Sequence, residues 1–327
     1  MALYVFLIAT IALKSVAHHA PPTEFEQGET HQPVADALPI SLGVYVNRLW
    51  GVDILHRSFY ADFYLWIQGA DNSDEFIDFQ FMNQAENEIS IIDETDDEAR
   101  HVNGQFYRTY RVVGKFLFDI DLTQYPFDHQ TFPVIIESSS NTIEYIHYRF
   151  DPNSRLEAMH TIGDWKMMTA AVGTSHHSYR STFSDPFADG NNETYSQLTL
   201  QVTGQREALP YILKTIVPLI LILLVSNLIF FIHPKQIDSR VAICVTTFFA
   251  AIGLQITAGA ALPNVGYLTI IDTMFIIAYG FIALATLQMV WSSRMVEGRE
   301  GLAILSNRLC GVFFPVTFTV LVHIILP

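Results

Sequence analysis

The sequence reads as an all-β, immunoglobulin-like sandwich followed by an all-α, four-helix transmembrane bundle. Three observations predict it. The chain has 327 residues and is 50% hydrophobic, which is too apolar for a plain soluble domain. Its charge is uneven: Pro21 to Leu209 holds 29 Asp and Glu against 11 Lys and Arg, while the rest holds 4 acids against 7 bases. The hydrophobic pattern also changes at Pro210, from short alternating runs to long unbroken ones.

Residues 1–17 read as a secretory signal. Leu3 to Leu13 is a short apolar core, and Ser15-Val16-Ala17 is a small-x-small cleavage site. Residues 18–37 are rich in Pro, Glu and Gln and are expected to be flexible. Residues 38–209 form the sandwich. Ser41 to Arg48 alternates Leu42, Val44 and Val46 against Ser41, Tyr45 and Asn47. Phe59–Ile67, Gln105–Phe118, Thr131–Glu137, Asn141–Phe150, Trp165–Val172 and Gln197–Val202 continue the series. Turns at Asn103-Gly104, Asp151-Pro152-Asn153 and Asp189-Gly190-Asn191 separate them, as in an antiparallel β-sandwich.

Residues 210–327 carry four apolar spans: Tyr211–Ile232, Val241–Leu262, Leu268–Trp291 and about Leu309–Leu326. Each is near the length a helix needs to cross a bilayer. The connectors His233–Arg240 and Ser292–Arg308 hold Lys235, Arg240, Arg294, Arg299 and Arg308, whereas Pro263–Tyr267 holds no basic residue. Basic connectors stay inside, so the sandwich and the C-terminus are expected outside the cell.

The second span is less apolar than its neighbours. Thr246, Thr247, Gln255 and Thr257 interrupt it, and Gly253 and Gly259 thin it. Polar residues at membrane depth face a bundle interior or a water-filled path. Helical steps of three and four allow two stripes. One is Ala242, Thr246, Phe249, Gly253, Ile256 and Ala260; the other is Ile243, Thr246, Ala250, Gly253, Thr257 and Ala260. Asp238 at the span's start suits a cation-attracting mouth or a helix cap, and Arg240 two residues on would instead make the mouth basic.

The octet Asp121-Leu122-Thr123-Gln124-Tyr125-Pro126-Phe127-Asp128, followed by Gln130 and Phe132, resembles the signature loop of pentameric ligand-gated ion channels, the Cys-loop receptor superfamily. Animal members flank that loop with cysteines; here those positions are not cysteine, as in prokaryotic members. Tyr45–Val52, Arg206 before the first span, Pro218 within it and Ala261-Leu262-Pro263 after the second span agree in order. Ile270–Met274 and the short link Met295–Leu302 resemble the prokaryotic ELIC-like branch. The resemblance covers about Ile40 to the C-terminus.

The resemblance implies a homopentamer in the cell (inner) membrane that passes monovalent cations when an extracellular stimulus opens a pore lined by the second span. It selects the first stripe, with Asp238 at the cytoplasmic mouth and Phe249 and Ile256 as apolar rings. It implies an agonist site between subunits, with Tyr45 and Phe63 on one face and Phe81, Glu137, Tyr179 and Tyr195 on the other. An aromatic-walled site with a carboxylate suits a primary amine. Glu75, Ile77 and Ser138–Ser140 depart from the family pattern there. The stimulus is a primary amine or a change in proton or hydroxide concentration, the latter through carboxylates and His176-His177. The resemblance further implies that Trp50–Asp53 and Tyr125–Asp128 lie over the Pro263–Tyr267 connector, with Arg206 paired to Asp128 and Asp121 in the same coupling loop.

The run Asp93–Glu98 is read as a solvated acidic loop or a Ca²⁺ site. No nucleotide loop, nucleophile elbow or zinc spacing points to an enzyme, and no cofactor is implied. The acidic half repels nucleic acid. Two alternatives stand beside the cation channel: an anion-selective channel of the same fold, and a membrane-anchored β-sandwich receptor without a pore.

Overall fold

The computed structural model describes residues 26–30, 37–70, 78–94, 100–157, 161–181 and 193–325. The expected signal, the turn at Asp189–Asn191, and Glu75 and Ile77 lie outside them. The chain divides into two compact units: His19–Ile120 with His129–Gln205, and Asp121–Asp128 with Arg206 onward.

The first unit is the sandwich. Its strands are β1 (Glu26–Thr30), β2 (Leu38–Asp53), β3 (Ser58–Ala70), β4 (Gln80–Phe81), β5 (Gln84–Asp93), β6 (Arg100–Val102) and β7 (Gln105–Leu117). They continue as β8 (His129–Thr142), β9 (Ile146–Phe150), β10 (Arg155–Leu156), β11 (Thr161–Ile162), β12 (Trp165–Ser178) and β13 (Thr194–Arg206). One sheet runs β1-β12-β13-β8-β4 with β11 beside β12; the other runs β10-β2-β3-β7-β5 with β6 beside β7 and β9 beside β2. The sandwich is not wholly antiparallel, because β1–β12, β2–β9 and β10–β2 pair in parallel. Such partners arrive by a long chain return, which tight turns do not signal. Within the stretch expected to be flexible, Glu26–Thr30 is a strand, because its backbone pairs with β12 from Ala171 to Thr174.

The alternation read in β2 holds: Leu42, Val44 and Val46 are buried, while Tyr45 and Asn47 point outward and are half-buried. Phe63, Phe81 and Phe116 meet with ring centroids 5.5–6.1 Å apart in the core. Burying one such ring contributes on the order of 1.5–3 kcal/mol. Gly43 has its own packing reason. A Cβ there would lie 2.0 Å from the Trp66 ring, whose Nε1 donates to Asp151 at 2.7 Å.

The second unit is helical: α1 (Leu209–Phe230), α2 (Ile237–Gly259) and α3 (Ile270–Ile325), each long and apolar enough to cross a membrane. α1 opens with a π turn at Ile212–Ile216 just before Pro218, whose missing N–H and ring disturb the ladder there. α3 starts on a capping box, with Asp272 accepting from the Thr269 backbone and hydroxyl while Thr269 Oγ1 accepts the Asp272 N–H. At Arg299 its dihedrals leave the helix, between the poor helix formers Gly298 and Gly301. The two lengths fold back on one another: Phe281 meets Phe314 and Phe318, and Gln288 donates to Ser306. α3 therefore contains the third and fourth expected spans.

Candidate functional site

α2 has two faces. Arg240, Cys244, Thr247 and Ala251 are buried. Asp238, Ala242, Thr246, Phe249, Gly253, Ile256 and Ala260 are all exposed. At about 100° per residue the two sets lie on opposite sides of the helix. Phe249 and Ile256 are 66% and 68% exposed, so this unit leaves two large apolar side chains on a stripe that it does not cover. The rival stripe is less uniformly exposed, because Ile243 is half-buried against the cluster that contains Phe230 and Met289. Arg240 is not on the exposed stripe. It is 0% exposed, with its Nε donating to the Ile229 carbonyl at 3.1 Å. The last turn of α1 leaves that carbonyl free to accept.

The loop Asp121–Asp128 belongs to the helical unit. Arg206 donates to Asp128 twice, from Nε at 2.6 Å and Nη2 at 2.9 Å. Its guanidinium also lies over Tyr125 at 4.9 Å and Tyr211 at 5.5 Å. Burial works against the Arg206 charge, but the Asp128 bonds and charge outweigh it and raise its pKa. Tyr125 and Pro126 are buried and Phe127 is half-buried. Asp121 caps the turn by accepting the Thr123 N–H at 2.9 Å. The Leu122 N–H, ahead of the Tyr125–Asp128 stretch, donates to the Tyr267 hydroxyl at 2.9 Å. Trp50 stacks on Tyr60 within the sandwich at 5.4 Å, with Arg48 over its ring at 4.6 Å.

Of the six proposed agonist-site residues, the sandwich brings three together. Glu137 is 0% exposed; its Oε1 accepts from the Tyr179 hydroxyl at 2.8 Å, and Tyr195 meets the Tyr179 ring at 5.7 Å. Burial first, then the bond to Glu137, pushes the Tyr179 pKa up to about 12. Tyr195, bonded to Glu193, is likewise raised to about 12 by burial and that bond. Two partners of Glu137 were not foreseen: His177 Nδ1 sits 2.9 Å from Oε2, and Gln197 donates to Oε2 at 3.2 Å. Gln197 is opposite Glu137 in the β8–β13 register, a signal that sequence patterning does not carry.

Phe63 and Phe81 are core residues rather than site walls, at 1% and 4% exposure. Both face inward and pack on Phe116, where burial is more favourable than a place at the surface. Tyr45 is on the other sheet from Glu137 and donates to Glu157 at 2.5 Å. Ser138–Ser140 wraps Asp78: all three hydroxyls and the Ser140 N–H donate to its carboxylate. Asp93 pairs with Arg108 at 3.5 Å, and residues 95–99 of the acidic run lie outside the described residues.

No protein-family model matches the chain. Curated relatives do. The chain is 27% identical over 190 residues to gamma-aminobutyric acid receptor subunit pi of Bos taurus, covering 57% of this chain and 41% of that one. It is 24% identical over 204 residues to glutamate-gated chloride channel subunit beta of Haemonchus contortus, covering 61% and 45%. It is 25% identical over 189 residues to gamma-aminobutyric acid receptor subunit beta of Lymnaea stagnalis, covering 57% and 36%. The matches span less than half the length of these relatives. They are Cys-loop receptor subunits, so the chain is similar to the superfamily its signature loop resembles. The sandwich followed by apolar helices is consistent with that fold.

Proposed function

We propose that the chain is the subunit of a homopentameric, cation-selective channel in a cell (inner) membrane, opened by an extracellular stimulus. The observation that carries this reading is α2: its Thr- and Gly-bearing stripe is exposed, opposite the face buried in its own subunit. Such a stripe suits a water-filled path shared with other copies, and Phe249 and Ile256 suit apolar rings that stop ions by dewetting. The receptor without a pore leaves the stripe unexplained. Asp238 is exposed and Arg240 sequestered, which favours cations at the mouth. The name of the Haemonchus contortus relative favours a second reading, an anion-selective channel.

The stimulus follows from the acidic, aromatic surface. A primary amine is the agonist we favour, held by Glu137, Tyr179 and Tyr195 of one copy with Tyr45 of the next. A proton or hydroxide change acting on the same cluster is the other. Opening shifts the equilibrium between two arrangements of the helical unit, in which loop Tyr125–Asp128 moves against the Pro263–Tyr267 connector. The ELIC-like prokaryotic branch fits a chain whose only cysteines, Cys244 and Cys310, are in helices.

The test is current from purified protein in planar bilayers with asymmetric KCl. External pH is stepped first, and a primary amine is then added at fixed pH. Evoked current reversing near the K⁺ equilibrium potential supports the reading. Reversal near the Cl⁻ potential selects the anion channel, and silence under both stimuli contradicts a gated pore.

A further inference from the structure

The foot of α2 carries a cation that does not reach water. Arg240 is in the first turn of the helix and is wholly buried. Besides the Ile229 carbonyl of α1, its Nη1 donates to Ser292 Oγ at 3.0 Å and Ser293 Oγ at 3.4 Å, on the first length of α3. Its Nη2 donates to Asn307 Oδ1 at 3.4 Å, on the second length. Ser293 in turn donates to the Pro234 carbonyl at 3.2 Å, on the connector leading into α2. One guanidinium thus ties α2 to α1, to both lengths of α3 and, through Ser293, to its own lead-in.

Stability alone does not account for this arrangement. Every acceptor is neutral, and no carboxylate lies within ion-pair distance of Arg240 among the described residues. A cation in the first turn of a helix also faces the positive end of the macrodipole. A buried charge without a counter-charge is costly, and an apolar side chain of similar size would pack there more cheaply. What the guanidinium supplies is a planar fork with fixed directions, which locates a helix in rotation as well as in distance.

Rotation is what matters at this place. At about 100° per residue Asp238 is about 160° round the helix from Arg240, and Ala242 about 160° the other way. We propose that Arg240 is a positioning residue that fixes the rotation of the α2 foot, and so holds Asp238 and Ala242 on the conducting side. The inference rests on the reading of α2 as the pore lining. Charge selection then depends on Asp238 for its chemistry and on Arg240 for its direction.

Two measurements test it, and one needs no current. The first is amide hydrogen exchange over residues 237–244 in nanodiscs. Arg240→Gln should speed exchange there at least tenfold, with residues 253–259 unchanged. Arg240→Lys should not restore the slow rate, because a compact ammonium with three donors cannot span the four acceptors that the planar guanidinium reaches. The second is the reversal potential in asymmetric KCl, which a generally loosened bundle leaves alone. It should move toward zero in Arg240→Gln, whichever ion the wild type prefers. If Arg240→Gln does not fold, Ser292→Ala and Asn307→Ala should each give a smaller change in the same direction. Unchanged exchange, or faster exchange with an unchanged reversal potential, overturns the proposal while leaving the channel reading intact. A wild type that passes no current sinks the channel reading, and the exchange rates still decide whether Arg240 anchors the foot.

Discussion

Arg206 and Asp128 face each other through two hydrogen bonds of 2.6 and 2.9 Å, and both side chains are buried. One partner ends β13 just before α1, and the other ends the signature loop. Truncating either side leaves the other as a buried unpaired charge, a loss of about 3–5 kcal/mol. Arg206→Ala should therefore melt several degrees lower in detergent and show no evoked current. The double variant Arg206→Gln with Asp128→Asn should recover part of the stability, because no lone charge remains. Normal currents from Arg206→Ala would contradict the coupling role.

Phe249 is the large apolar residue at the middle of the exposed stripe of α2. On the proposed reading of α2, replacing it with Ala would widen and wet an apolar constriction. Phe249→Ala should raise current without stimulus by tenfold or more, measured in the same bilayers. A silent resting state in that variant counts against an apolar gate at this level.

Asp238 is exposed at the start of α2. Asp238→Asn should move the reversal potential toward zero, and Asp238→Lys should carry it past zero toward anion preference. Identical reversal potentials in all three proteins would place selection elsewhere.

His147 is buried in the sandwich, and its Nδ1 has no partner among the described residues. Burial first, then the charges of His176 and Arg149, holds its pKa below the ordinary 6.5. A depressed pKa contributes stability that is complete above the unfolded value and is lost as pH falls through the folded one. The sandwich should thus lose stability as pH drops below about 6.5. Urea melts at pH 7 and pH 5 check this, and His147→Gln should flatten the difference.

Tyr179 and Tyr195 behave in the opposite sense, since both pKa values are raised to about 12. Their contribution is complete below the unfolded value near 10 and disappears as pH rises through about 12. Absorbance titration at the tyrosinate band should lose one late step in Tyr179→Phe. The same variant should weaken any amine response about tenfold, by removing a hydroxyl that orients Glu137.

Much of the fold was legible because its signals are local. The alternation in β2, the turn at Asn103-Gly104 and the apolar spans each occupy a few consecutive residues. β5 was not, because Gln84 to Glu88 is mostly polar and the strand is set by the pairing of Ile89 to Asp93 with β7. Phe63 and Phe81 show the limit at the site. Their chemistry suits a ligand wall as well as a core, and only the packing of two sheets turns them inward. The partners of Glu137 come from residues 40 to 60 positions away, matched by register. The burial of Arg240 was equally hidden, since a charge in the first turn of a helix can point to either side until its neighbours are in place.

The stripe Ala242–Ala260 of α2 is proposed to line a water-filled path. Its most direct test is a cysteine scan of α2 in a background with Cys244 and Cys310 replaced by Ala. A charged thiol reagent is applied while the stimulus holds the protein open. A lining stripe gives irreversible block at 242, 246, 249, 253, 256 and 260, with none at 244, 247 and 251. Block that follows the opposite face, or no block at any stripe position, would contradict it.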